Sequence, residues 1–296
     1  MLSFLAFWVL LGDEFTLDEL YVKRIVSAAT HGPSVVFTSF AGFDLKTYWF
    51  HLEEETGTVI DDQRAKLHLP GIVATKDGFC MVQTVGRPML VLLDVRGNFL
   101  TSQRLEAYAG WDDELILKNI NGYHNRHLAH ALTQDQKKLL VGNLDLERRQ
   151  IAWVHSFEQP ENQAVNFHPW GDGYLQVNMH TGQLAIFSSD FSEEKVLRTG
   201  LDPLRFDPKR FSRLAKRFKY RAMLEVISVQ EERVVFAFNK PDSFAAEKYP
   251  EPLKRILTLE NRGLVESTTI ILGEHLGKKL VYDRIEQEFA MIKETK

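Results

Sequence analysis

The sequence predicts an all-β chain built from copies of one four-stranded antiparallel unit. Three observations carry this: apolar runs of strand length, glycine-bearing turns between them, and recurrence of the pattern at about 45 residues. The chain has 296 residues, 44% of them apolar, enough for one large domain with a sizeable core. Thirty-six basic side chains against 40 acidic give a net charge of -4, which sets aside nucleic acid as a partner and argues against a disordered acidic tail. A lone cysteine, Cys80, can form neither an internal disulfide nor a multi-thiolate metal site. No run of about 18 apolar residues offers a membrane-spanning helix.

Residues 1–12, Met-Leu-Ser-Phe-Leu-Ala-Phe-Trp-Val-Leu-Leu-Gly, have the length of a signal-peptide core and turn polar at Asp13-Glu14. We therefore expect a signal or anchor at 1–12, a single domain over 13–296, and a periplasmic or extracellular location. No Lys or Arg precedes the run, and Leu10 and Gly12 imitate a cleavage site poorly, so a cytoplasmic chain is the alternative.

The clearest unit starts at Gly71. Gly71 to Thr75, Phe79 to Val85, Met89 to Val95 and Phe99 to Leu105 are strand-length runs, separated by Lys76-Asp77-Gly78, Gly86-Arg87-Pro88 and Arg96-Gly97-Asn98. Glycine supplies the positive φ that tight hairpins need, so the run reads as a four-stranded meander. The same cadence returns at 164–200, where Asp172-Gly173 takes the place of Asp77-Gly78 and Ile186 falls near Leu92. Weaker copies follow from Ser34 to Ile60, Leu128 to Phe157 and Met223 to Thr268. The tail offers Thr269 to Leu272, Lys279 to Arg284 and Phe289 to Lys293, one strand short. Residues 15–26 are expected to supply the missing strand and close a ring of six, which is the architecture of a six-bladed β-propeller.

The x-Asp-Gly-strand-Gly-x-strand-x-Gly-Asn-Phe-Leu cadence of residues 76–100 resembles the blades of six-bladed propellers of the NHL-like and TolB-like kind. That resemblance implies a fold and not an activity. A β-sandwich with a small mixed domain is the alternative architecture, and regular recurrence argues against it.

Two inserts interrupt the repeat, Glu106 to Arg126 and residues 205–221. The second carries eight basic side chains against Asp207 alone. Asp207-Pro208 is a helix entry, and Phe211, Leu214, Ala215 and Phe218 form one apolar stripe flanked by Arg210, Arg213, Lys216 and Arg217. A short basic amphipathic helix is expected, either packed on the rim or open to a protein, an anionic ligand or a membrane surface.

His124, His127 and His130 are spaced by three, which alternates faces on a strand and weakens a ligand reading. His31, His68, His130, His168 and His275 each precede or open a first strand in this parsing, and first strands line a propeller's channel. His68, His130 and His168 are therefore the candidate metal ligands, with a divalent metal as the one conceivable cofactor and none expected otherwise. Trp111 and Trp170 are read as loop aromatics of a binding face. Cys80 is read as a core residue. The leading expectation is a monomeric, non-enzymatic binding module that uses its loop face, Trp111, Trp170 and the basic insert. The alternative is a metal-dependent propeller lyase or hydrolase built on channel histidines.

Overall fold

The structure is a computed structural model that describes residues 14–20, 22, 24–41, 44–60, 71–84, 86–158, 165–178, 183–197, 224–230, 233–238, 256–260, 263–283 and 286–293. After a short strand β1 (Glu14–Phe15) the first meander comprises β2 (Arg24–His31), β3 (Ser34–Ala41), β4 (Asp44–His51) and β5 (Thr56–Val59). The second is β6 (Gly71–Thr75), β7 (Gly78–Gln83), β8 (Met89–Asp94) and β9 (Phe99–Arg104). The third is β10 (Ile116–Tyr123), β11 (Arg126–Leu132), β12 (Lys138–Asp145) and β13 (Gln150–Glu158). The fourth is β14 (Val165–Trp170), β15 (Gly173–Asn178), β16 (Leu184–Phe187) and β17 (Glu193–Leu197). The fifth is β18 (Leu224–Gln230), β19 (Arg233–Phe238), β20 (Ile256–Glu260) and β21 (Gly263–Ser267). The last has only β22 (Thr269–His275), β23 (Lys278–Asp283) and β24 (Glu288–Lys293). Helix among the described residues is limited to single 3-10 turns at Leu17–Glu19 and Leu105–Ala107.

Period-two alternation explains how these sheets pack. In β7, Phe79 and Met81 face the first meander while Cys80 and Val82 face the third, so both sides of the strand are buried. Each apolar cluster lies between neighbouring sheets in this way: first with second, second with third, third with fourth, fourth with fifth. A fifth cluster joins Val35 and Phe37 of the first meander, Ile227 and Val235 of the fifth, and Leu272 and Tyr282 of the last. The core is thus a ring of seams between antiparallel sheets, an all-β propeller.

The glycine that opens the second strand of the second and fourth meanders has a steric cause. A Cβ on Gly78 would strike the Leu93 carbonyl oxygen, and one on Gly173 would strike that of Phe187, both on the third strand. Next to these contacts the third and fourth strands slip register, between Leu92 and Leu93 and between Ile186 and Phe187. The shared turn therefore belongs to a shared bulge.

Three expectations are corrected. Among the described residues four sheets have four or more strands and a fifth has three, in place of six equal blades. The first and fifth meanders run together as one nine-stranded sheet, through a parallel contact of Ser228 in β18 with Ala28 in β2. The last sheet packs against the first meander, where Gly273 of β22 lies so close to Val35 and Thr30 that a side chain would strike theirs. The opening segment does not complete that sheet either. β1 pairs with β5, Glu14 opposite Thr58 and Phe15 opposite Gly57, and residues from Arg24 form the inner strand of the first meander. Closure is instead made by side chains. Tyr282 Oη donates to the Val22 carbonyl at 3.0 Å, and Lys278 and Lys293 meet Glu55 at 3.0 and 2.8 Å. The expected insert at 106–126 is also smaller than read, because Ile116–Tyr123 is the inner strand of the third meander. The basic insert 205–221 and the apolar residues 1–12 lie outside the described residues.

Candidate functional site

Two concavities are built by the repeat. The first is axial, a cavity of about 250 Å³ lined by β2, β6, β10, β14 and β18, to which β22 contributes nothing. Side chains tie these inner strands together. Ser27 Oγ accepts from Ile72 N at 3.1 Å, Asn121 Nδ2 donates to Phe167 O at 2.9 Å, and Lys118 Nζ donates to Val165 O at 2.9 Å. Burial lowers the Lys118 ammonium to a pKa of about 8.

A bulge places the polar groups of the channel. In β2, β10 and β18 the register against the second strand slips between Ile25 and Ser27, Leu117 and Asn119, and Val226 and Ser228. The residue after each slip, Ser27, Asn119 or Ser228, lines the cavity. One extra residue reverses the facing of everything beyond it, which is how a strand of alternating pattern turns a polar side chain inward.

His168 of β14 is the most unusual member. It is 2% exposed, and neither ring nitrogen has a hydrogen-bond partner. Burial depresses its pKa to about 3, so at neutral pH it is an uncharged imidazole with one donor and one acceptor. Asn119 Oδ1 and Ser228 Oγ are likewise buried without a partner.

The second concavity is a groove of about 930 Å³ at the hairpin ends of the second and third meanders. Lys76 and Asp77 come from the β6–β7 turn, His124 and Asn125 from β10–β11, and Leu146 to Arg149 from β12–β13. Its charges are exposed and loosely paired: Lys76 meets Glu147 at 3.3 Å and Arg148 meets Asp145 at 3.8 Å. Arg126 donates to the carbonyls of Gly171 and Gly173, joining the third meander to the fourth. His127, buried beneath, bonds the Ala74 carbonyl at 2.9 Å, and burial holds its pKa below the usual value.

The structure separates the sequence-derived candidates. His168 reaches the channel. His130 does not, because it sits on β11, a second strand, where Nε2 accepts from Phe167 N at 3.1 Å and the ring stacks on Phe167. Burial, then the neighbouring His168, keeps its pKa well below the ordinary value. His31 and His275 end their inner strands at the hairpin face, beside Lys76 O and Glu53. Among the described residues no three His, Cys, Asp or Glu side chains converge as a metal centre, and His68 lies outside them. Two buried imidazoles without a carboxylate are a poor donor set for a divalent ion.

Trp170 is not a loop residue but the last residue of β14, packed against the fourth–fifth cluster. Trp111 is half-buried beside Trp153, with ring centroids 6.4 Å apart. Neither lines the channel or the groove. Arg210, Arg213, Lys216 and Arg217 lie outside the described residues. Cys80 is fully buried, and burial pushes its thiol up to about 12, so it is a core residue and not a thiolate. Sequence reasoning missed Asn119, Asn121 and Ser228. The available signal for β10 was the apolar set Leu117, Ile120 and Tyr123 embedded among the asparagines.

No known protein family and no curated protein matches the chain. Solved structures match over nearly its whole length. A structural-genomics protein of unknown function from Bacteroides thetaiotaomicron has TM-score 0.53 at 7% identity, covering 95% of this chain and 72% of that one. Luciferin-regenerating enzyme has TM-score 0.50 at 8% identity, covering 92% and 88%. The β-propeller domain of the Trilobed protease from Pyrococcus furiosus has TM-score 0.41 at 12% identity, covering 93% and 86%. At such identities the likeness is one of fold alone, and the fold is that of an all-β propeller with four-stranded antiparallel blades.

Proposed function

We propose that this chain is a binding propeller whose partner is a protein that lays an acidic segment into the groove between the second and third meanders. The observation that carries the reading is the groove itself. Rigid hairpin ends hold Lys76, Arg126, Arg148 and Arg149 around one open depression, with Asp77, Asp145 and Glu147 between them to set register. Lys76, Arg148 and Arg149 are exposed, and the ion pairs of Lys76 and Arg148 are weak, so a partner's carboxylates displace them at little cost. These basic groups are suited to steering an anionic segment. The basic sequence at 205–221 supports the same polarity of partner as a second attachment.

The test uses the full chain and a fluorescein-labelled decaglutamate peptide, read by anisotropy at low and moderate salt. Saturable binding that weakens with salt is expected, with a loss of about 10-fold in the triple variant Lys76→Glu, Arg148→Glu, Arg149→Glu. Binding lost only when Arg210, Arg213, Lys216 and Arg217 become alanine would move recognition to the insert and overturn the groove. Equal binding of decalysine would overturn the acidic partner.

A further inference from the structure

We infer that the axial channel is a second, independent binding site, for one small uncharged polyhydroxylated molecule of the polyol or monosaccharide class. Three unsatisfied polar residues converge there from three different inner strands: His168 through both ring nitrogens, Asn119 through Oδ1 and Ser228 through Oγ. A buried polar atom without a partner has given up its bonds to water and gained none in return. Folds therefore rarely carry three beside one cavity unless something fills it. Two of the three are aimed by the inner-strand bulge, a local device that turns Asn119 and Ser228 toward the axis.

The chemistry of the lining selects the ligand. Among the described residues it holds no Asp, Glu, Lys or Arg, so an ion would enter without a counter-charge. A hydrocarbon would leave every polar atom unpaired. His168 presents one donor and one acceptor, Asn119 an acceptor, and Ser228 a hydroxyl that is both. Hydroxyl groups, each donor and acceptor at once, satisfy that set in any tautomer of the ring. Val26, Ile72, Val73, Val82, Ile120 and Ile227 supply apolar walls for the C–H faces of such a molecule. The volume, about 250 Å³, equals that of roughly eight waters at ~30 Å³ each and admits one five- or six-carbon polyol.

The rival occupant is water alone, and the experiment separates the two. Full-length protein labelled with 15N-histidine is titrated with xylitol, myo-inositol, D-glucose and D-galactose, following the His168 ring nitrogens by NMR and the heat by calorimetry. D-gluconate and D-glucosamine serve as charged counterparts. At least one uncharged probe is expected to shift the His168 nitrogens saturably, with Kd below about 1 mM. His168→Phe and Asn119→Leu should each weaken it about 10-fold or more, and the charged counterparts should not compete. Ser228→Ala removes a single oxygen and serves where a larger substitution prevents folding. The inference is overturned if no probe moves the His168 signals, if binding survives in the folded variants, or if gluconate or glucosamine binds as tightly.

Discussion

The channel and the groove are walled by strands of the same repeat, yet they hold opposite kinds of polarity. In the groove the polar groups are ions, Lys76, Glu147, Asp145 and Arg148, all open to water. In the channel they are neutral, and the unpaired atoms of His168, Asn119 and Ser228 are shut away from it. The difference teaches that position along the radius decides which chemistry a blade can display. A charge at the hairpin tip keeps its hydration, whereas one on the inner strand is partly stripped of it, as for Lys118, which burial lowers to a pKa of about 8 against the Val165 carbonyl.

Truncating the wall that separates the inner strands should have the largest effect. Phe167 is fully buried against Phe157 at 4.6 Å, and its backbone bonds both Asn121 and His130. Phe167→Ala is expected to cost about 3–5 kcal/mol in urea unfolding, and a cost near zero would show that the channel wall is not continuous with the core. Next comes Gly122, where φ is 144° and a Cβ would strike the Arg126 carbonyl oxygen. Gly122→Val should cost about 2–3 kcal/mol, measured the same way.

The pH dependence sharpens the contrast further. His127, His130 and His168 all have pKa values held by burial below the unfolded value of 6.5. The unfolded chain takes up protons that the folded chain refuses, so their contribution is present above about pH 6.5 and is lost as pH falls toward the folded values. His168, held to about 3, contributes a slope approaching ~1.4 kcal/mol per pH unit between about pH 6 and 4. In His168→Phe, urea unfolding across that range should show a slope shallower by about one histidine. An unchanged slope would mean that His168 is solvated. The smallest effect belongs to the groove, where Lys76→Ala should change thermal stability by less than ~0.5 kcal/mol, because both members of the Lys76–Glu147 pair are mostly exposed. A larger loss would make the groove structural.

The sequence was legible where local sterics dictate residue type. Gly78 and Gly173 open second strands because nothing larger clears the carbonyl of the third, so Asp77-Gly78 and Asp172-Gly173 recur and mark their meanders from composition alone. It was opaque where one extra residue changes facing. Asn119, Asn121 and Gly122 look like loop, and only the slip between Leu117 and Asn119 reveals that they belong to an inner strand. Residues 15–26 were expected to zip onto the last sheet. They do not form one strand: Phe15 pairs with β5, Leu17–Glu19 is a 3-10 turn, and the strand that begins at Arg24 pairs with β3, because alternation does not encode which sheet a strand joins. His130 and His168 were indistinguishable as candidates, since parity on β11 and β14 depends on where each meander begins.

The joint between the first meander and the last has a mechanical consequence. It relies on the apolar cluster of Val35, Phe37, Leu272 and Tyr282, on Tyr282 reaching Val22 and on lysines gripping Glu55, and among the described residues no backbone ladder joins the two sheets. Salt screens the lysine contacts and leaves the apolar cluster intact, so raised ionic strength should loosen this seam at its lysine end first, with the amide protons of Lys278 and Lys293 exchanging ahead of those of Leu272 and Tyr282.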